Sequence, residues 1–357
     1  MPASTRRAPI VGRYTAQELA LAARNHAMPL EALACDVTPP GLHYTLIHFD
    51  IPRADPQAWR LEICGLVERP HALSLAELER LPQRTVRVTM ECAGNGRGQM
   101  APRYPSMPWL EEGVSTADWT GVPLVRLLER AGLRPAATEI VFHGTDRGVD
   151  RGLEHAFARS LSRAEAERED VIVAWRMNGA ALPPQHGAPL RLVVPGWYGM
   201  ASVKWLERIE ATDRPYDGVQ QAHSYHFRRS AEDEGVPCTR MRVNSLMIPP
   251  GIPDFYTRRR IVAAGRIEVF GRAWSGEAPV RRVEFGVDGV WSDAVLGPAQ
   301  GEYAWRGWRA IWDAAPGEHE LACRATDAAG ATQPLEPLPD EGGFGNNAVQ
   351  RVAVSVR

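Results

Sequence analysis

The chain has 357 residues, with 41 Lys plus Arg against 43 Asp plus Glu, so length predicts two domains or one large one and the near-neutral charge gives no general attraction to nucleic acid. Its five cysteines (35, 64, 92, 238 and 323) are odd in number and lack any C-x-x-C pair, which argues against a disulfide framework and a zinc cage. No apolar run reaches membrane-spanning length, and the stretch after Arg6-Arg7 is not a signal-peptide core; the sequence as written reads as cytoplasmic, or periplasmic if an export signal was removed.

In chain order, residues 1–37 read as a wrapping arm with a helical pattern from Ala16 to Ala34. After Thr38-Pro39-Pro40-Gly41 comes Leu42–Phe49, rich in β-formers and histidine. Trp59–Gly65 alternates like a half-buried strand, and Leu73–Leu78 reads as a short helix capped by Ser74. Val86–Met90 is a strand that delivers Glu91-Cys92-Ala93-Gly94-Asn95-Gly96-Arg97-Gly98. Thr120–Gly132 has helical apolar spacing with a glycine stop. Glu139–His143 reads as a strand followed by a polar turn over Gly144–Gly148, and Phe157–Glu169 as a charged, solvated helix. Val171–Trp175, Leu190–Val194 and Val203–Glu210 read as strands joined by Gly/Pro-rich loops. Prolines at Met247–Pro253 mark a boundary, beyond which Arg266–Trp274, Val280–Val287, Ala304–Trp312, His319–Thr326 and Val349–Val356 alternate as in a β-sandwich. The tryptophans at 291, 305, 308 and 312 are assigned to core or dimer surface, core being the default.

The glycine- and asparagine-rich loop after Cys92 lets backbone amides approach a ligand, and a thiolate beside Arg97 is a nucleophile or a soft metal ligand. A buried cysteine before an ordinary turn is the competing reading. Three other loops carry groups suited to a phosphate and a polar heterocycle: His48; His186 with Arg191; and Ser202 with Lys204. Lys204 is the sole lysine, and its survival in an arginine-biased chain marks a position for a compact point charge.

Cys-Ala-Gly-Asn followed by arginine, His-Gly-x-Pro-Leu-Arg and Ser-Val-Lys-Trp-Leu together resemble the sulfite oxidase family of molybdopterin enzymes, in order from about Thr38 to Val356. The resemblance implies an α+β fold: a mixed α/β molybdenum-cofactor domain over 38–247, then an immunoglobulin-like β-sandwich over 248–357 that serves dimerisation. It implies Cys92 as the molybdenum ligand and His48, Asp146, His186, Arg191, Ser202 and Lys204 as contacts to the molybdenum cofactor. It further implies Arg97 as an oxyanion-binding residue, Trp109 as a pocket wall and Tyr225 as an active-site tyrosine. Two family arginines are missing, since Leu46 and Gly342 stand in their places; Arg24 and Arg103 are candidate replacements.

The activity so implied is oxygen-atom transfer with two-electron exchange, sulfite oxidation being one form and reduction of an S-oxide or N-oxide the alternative. No heme-attachment motif occurs, so a heme-free chain passing electrons to an external carrier such as a cytochrome is expected, together with a homodimer and no nucleic-acid or membrane partner. Readings outside that class are a non-catalytic cofactor-binding or assembly homologue and, with no histidine signature beside Cys92, cysteine-nucleophile hydrolysis.

Overall fold

The computed structural model describes residues 14–150 and 152–357; Arg6-Arg7 and the rest of the first 13 residues of the arm lie outside the described residues. Sheet dominates, and helices are few and short, so the α+β expectation is corrected toward a mostly-β molecule. The helical patterns in the sequence span only two or three turns and are interrupted by strand-forming runs.

Helix α1 (Ala16–Arg24) starts at a Thr15–Glu18 capping box and ends at Asn25, whose backbone is extended. Its pattern does not continue to Ala34: Pro29, which has no N–H and disfavours helix before it, leads instead into a 3-10 turn over Leu30–Ala34. Met28 and Leu33 then enter the main core, whereas Leu19 is exposed. Leu42–Phe49 is irregular apart from a His26–Thr45 bridge, and Asn25 Oδ1 accepts the Ile47 N–H at 2.7 Å.

Two sheets form the larger part. One has the order β2-β1-β10-β5-β6, from β1 (Arg60–Gly65), β2 (His71–Ser74), β5 (Glu139–Asp150), β6 (Leu153–Ser162) and β10 (Leu206–Thr212), with β1 and β10 parallel. The other has the order β3-β4-β7-β8, from β3 (Arg84–Glu91), β4 (Val114–Pro123), β7 (Ile172–Met177) and β8 (Ala180–Ala181), with β9 (Arg191–Val193) on β7. Short helices α2 (Leu75–Leu78), α3 (Leu124–Ala131) and α4 (Arg163–Ala166) connect them; Ser74 caps α2 and Gly132, at φ 73°, ends α3.

Two local readings change. The polar turn expected at Gly144–Gly148 lies inside β5, where a register shift against β6 between His143 and Arg147 makes a bulge; bulges re-aim side chains, and Asp146 enters the site. The charged helix expected over Phe157–Glu169 is β6 followed by α4. Phe157–Leu161 is buried between β5 and the turn at Val219–His223, and the charges from Arg163 on are half-buried until Glu169, which is exposed.

The carboxyl-terminal part is two facing sheets. Asn244–Met247, Gly265–Trp274, Arg306–Ala314 and Val295–Leu296 form one; Ile252–Pro253, Arg260–Val262, Gln350–Val356, Gly317–Asp327, Val280–Val287 and Val290–Asp293 form the other. Val269, Phe285, Trp308, Trp312 and Leu321 fill the space between. Asn244–Met247 already pairs with Gly265–Trp274, so sandwich hydrogen bonding begins ahead of the proline connector. Trp305, Trp308 and Trp312 are buried.

Candidate active site

Strand β3 ends at the motif, and its loop is pinned from several sides. Cys92 N–H donates to Gly113 O at 2.8 Å, and Asn95 ties Gly113 N–H, Glu111 O and Glu91 Oε1 together. From the sandwich side, Gly345 N–H donates to Ala93 O at 2.7 Å and Asn346 Nδ2 to Gly96 O at 2.9 Å. Beneath the loop, buried Glu91 accepts hydrogen bonds from Asn95, Asn244 and Trp274, which locks the loop to the first sandwich sheet. Burial pushes the Glu91 carboxyl up to about 7 against those donors.

Cys92 is buried and stands between two cavities, whose linings share Leu46, His48, Cys92 and Tyr225. The inner one collects every cofactor-contact residue expected from the sequence: His48, Asp146, His186, Arg191, Ser202 and Lys204. Arg191 is held by the carbonyls of His186 (3.0 Å) and Ser202 (3.1 Å) and lies over Trp119, while Lys204 Nζ donates to Leu46 O (2.7 Å) and Gln185 O (3.3 Å). Among the described residues neither cation makes an ion pair. Burial pulls Arg191 down to about 10; Lys204 falls to about 7 through burial and the Arg191 charge, with Asp146 opposing. Asp146 is itself raised to about 6 by burial. The backbone at Gly187 has φ 106° and passes so close to Lys204 that a Cβ would collide with its side chain.

The histidines are neutral. Burial takes His48 and His43 to about 3 and His186 to about 2. Nε2 of both His43 and His186 is buried without a hydrogen-bond partner. The sequence reading missed His43, whose only signal was the histidine content of Leu42–Phe49.

The outer cavity brings Arg97, Tyr225, Leu46 and Gly342 together. Arg97 is buried, donates to Gly342 O (3.1 Å) and Met107 O (3.3 Å), and lies 5.0 Å from the centre of the Phe344 ring. Its guanidinium packs on Gly94 so closely that a Cβ there would sit 2.5 Å from Nη2, which is why the motif needs glycine at that point. Burial pushes the Cys92 thiol up, opposed first by Arg97. Tyr225 adopts φ 56°, and its hydroxyl hydrogen-bonds His48 Nε2 at 2.5 Å; burial raises the phenol well above its ordinary range, so it stays protonated.

Trp109 lines neither cavity; it packs in the core that holds Cys92 and Tyr44, where its side chain opposes the rise of the Cys92 thiol. The proposed substitutes for the missing arginines point elsewhere. Arg24 binds Phe49 O and Asp50, Arg103 binds Glu18, and neither lines the outer cavity.

A bound molybdenum cofactor fits these residues. Two buried cations without carboxylate partners and two unpartnered imidazole nitrogens suit an anionic, polar group. Among the described residues no cluster of three or more His, Cys, Asp or Glu donors forms, so a metal at Cys92 would draw most of its ligands from a cofactor.

A buried cysteine beside buried cations that no carboxylate pairs suits a metal–organic redox cofactor. The family model "Oxidoreductase molybdopterin binding domain" matches residues 48–220. Mouse mitochondrial sulfite oxidase is 32% identical over 348 residues, covering 90% of this chain and 62% of that protein. Chicken sulfite oxidase is 33% identical over 341 residues, covering 88% and 72%. Chicory NADH nitrate reductase is 30% identical over 356 residues, covering 90% and 38%. The crystal structure of the sulfane dehydrogenase SoxCD from Paracoccus pantotrophus superposes with a TM-score of 0.80 at 24% identity, over 100% of this chain and 95% of that one, a likeness of fold. The chain belongs to the sulfite oxidase family of molybdopterin oxidoreductases; it spans 62% of the length of the mouse enzyme.

Proposed function

We propose that this protein is a molybdenum-cofactor-dependent oxidoreductase that oxidises a small sulfur oxyanion of the sulfite type. One oxygen atom of water joins the sulfur, two protons are released, and two electrons leave to an external carrier such as a cytochrome. The observation that carries this reading is the position of Cys92 between a cavity with uncompensated buried cations and one that presents Arg97.

Arg191 and Lys204 would bind the phosphate of the cofactor, His43 and His186 would hydrogen-bond its polar ring system, Ser202, Asp146 and His48 would orient it, and Cys92 would ligate the metal. When bound, the cofactor supplies the two-electron redox centre. On the substrate side, Arg97 is locked by two carbonyls and meets an oxyanion without reorganising, while the protonated Tyr225 hydroxyl can donate to it. Leu46, Ile47, Met107 and Phe344 in the wall limit water around the reacting atoms.

A reductase of S-oxides or N-oxides is the second reading, favoured by Leu46 and Gly342, which leave Arg97 as the one guanidinium in the outer lining among the described residues. We further propose that the sandwich is immunoglobulin-like and pairs with a second copy, supported by the exposed Phe270 and Ile311 on neighbouring strands of one sheet.

The test is purification from a host that makes the cofactor, assay of molybdenum and pterin per chain, and sulfite-dependent reduction of an acceptor beside S-oxide reduction with a dye donor. Stoichiometric molybdenum with sulfite turnover is expected. A protein without molybdenum overturns the reading, and S-oxide turnover alone replaces it with the second.

A further inference from the structure

A buried cation beside residues of the outer cavity has been given no role. Arg159 lies on β6, 2% exposed, in the stretch whose charges pointed to a solvated helix. Side chains two apart on a strand share a face, so Phe157 and Arg159 point the same way. Phe157 packs on His48, with ring centres 4.8 Å apart. The Arg159 guanidinium lies 5.6 Å from the centre of the Tyr225 ring and donates through Nη1 to the Gln220 carbonyl. Tyr225 and Gln220 both line the outer cavity. Nε of Arg159 is buried with no hydrogen-bond partner, and among the described residues the guanidinium makes no ion pair.

An isolated buried guanidinium is expensive to keep, and a structural role would be served by a carboxylate partner or an apolar side chain. Tyr225 is also held at φ 56°, a backbone conformation that a bulky residue adopts only when its surroundings impose it. Arg159 on β6 is one of those surroundings, its guanidinium set over the Tyr225 ring. Burial lowers its pKa to about 10, so it stays charged at neutral pH.

We propose that Arg159 is a positioning residue of the substrate site, which fixes Tyr225 and provides from β6 the second positive charge that Leu46 does not. This rests on the reading of the outer cavity as an oxyanion site. Arg159 acts through the Tyr225 ring and the Gln220 backbone and not by contact, so its effect falls on anion affinity and far less on turnover. Arg97 and Arg159 then both act on Tyr225 and make the cavity more cationic than its lining residues indicate.

The experiment compares holoenzyme of the wild type, Arg159→Gln and Arg159→Lys, with matched molybdenum content, by calorimetric titration with sulfate and steady-state oxidation of sulfite. Arg159→Gln is expected to weaken sulfate and raise the sulfite KM about tenfold, equivalent to about 1.4 kcal/mol, with kcat within about threefold of wild type. Arg159→Lys is expected to recover most of the affinity. Unchanged sulfate affinity in Arg159→Gln, with the wild type still oxidising sulfite, overturns this inference and leaves the proposed function standing. A molybdenum-loaded wild type that neither binds sulfate nor oxidises sulfite overturns both. If Arg159→Gln does not fold, Arg159→Lys decides alone: affinity within about threefold of wild type supports the charge, and a loss of about tenfold or more overturns it.

Discussion

Replacing Lys204 by methionine should move stability and cofactor retention in opposite directions. The ammonium is fully buried, and its pKa falls from 10.5 to about 7. Between those values the unfolded chain binds more protons than the folded one, so the stability of the cofactor-free protein rises with pH across that window. The buried lysine thereby penalises the cofactor-free fold by about 4–5 kcal/mol below pH 7 and by about 2 kcal/mol at pH 9. Methionine removes that penalty but leaves the carbonyls of Leu46 and Gln185 without their donor, at about 1 kcal/mol or somewhat more each. The net expectation is a gain of about 2 kcal/mol at pH 6.5 that shrinks to nothing near pH 9. Urea unfolding of cofactor-free protein at the two pH values measures it, beside molybdenum and pterin per chain after expression with the cofactor. Lys204→Met should retain little of either. A variant that is less stable than wild type at pH 6.5, or that keeps full cofactor, would refute the assignment of this lysine to an anion cradle.

Three other outcomes are expected. Cys92→Ser should abolish sulfite turnover while pterin still co-purifies, because the cradle is intact; retained activity would remove Cys92 as the metal ligand. Gly94→Ala should push the Arg97 guanidinium off its seat and lower kcat/KM about 10- to 100-fold with little loss of thermal stability, read by sulfite kinetics and melting together. Glu91→Leu should destabilise by about 3–5 kcal/mol in urea unfolding, since the Asn95, Asn244 and Trp274 donors would be left buried and unpaired.

Legibility from sequence followed how locally each feature is encoded. The Ser74 cap, the glycine end of α3 and the alternating strand Val280–Val287 depend on neighbours in sequence, and each appears where the pattern puts it. Strand β4 was not anticipated, although it pairs with both β3 and β7, because its Ser, Thr and Asp residues blur the alternation. Arg159 was misplaced for a related reason. Charges at 159, 163, 165 and 167–169 suit an exposed helix, and only the packing of β6 against β5 and the Val219–His223 turn buries the first of them.

By itself the sequence singled out the candidates for the site: Cys92 with Arg97, the His186–Arg191 loop, Ser202 and the sole lysine are short-range motifs whose chemistry is readable without coordinates. Tertiary structure decided how they divide. It put Arg191 and Lys204 in one cavity beside Cys92 and Arg97 in the other, turned Asp146 inward at a bulge, and set Arg24 and Arg103 on carboxylates outside the lining of the outer cavity. It also brought the Gly342–Asn346 segment, some 250 residues on, down over the cysteine loop. The physical reason is that residue type fixes what a group can bind, whereas burial and the loss of water decide whether its charge is met within the chain or left for a ligand.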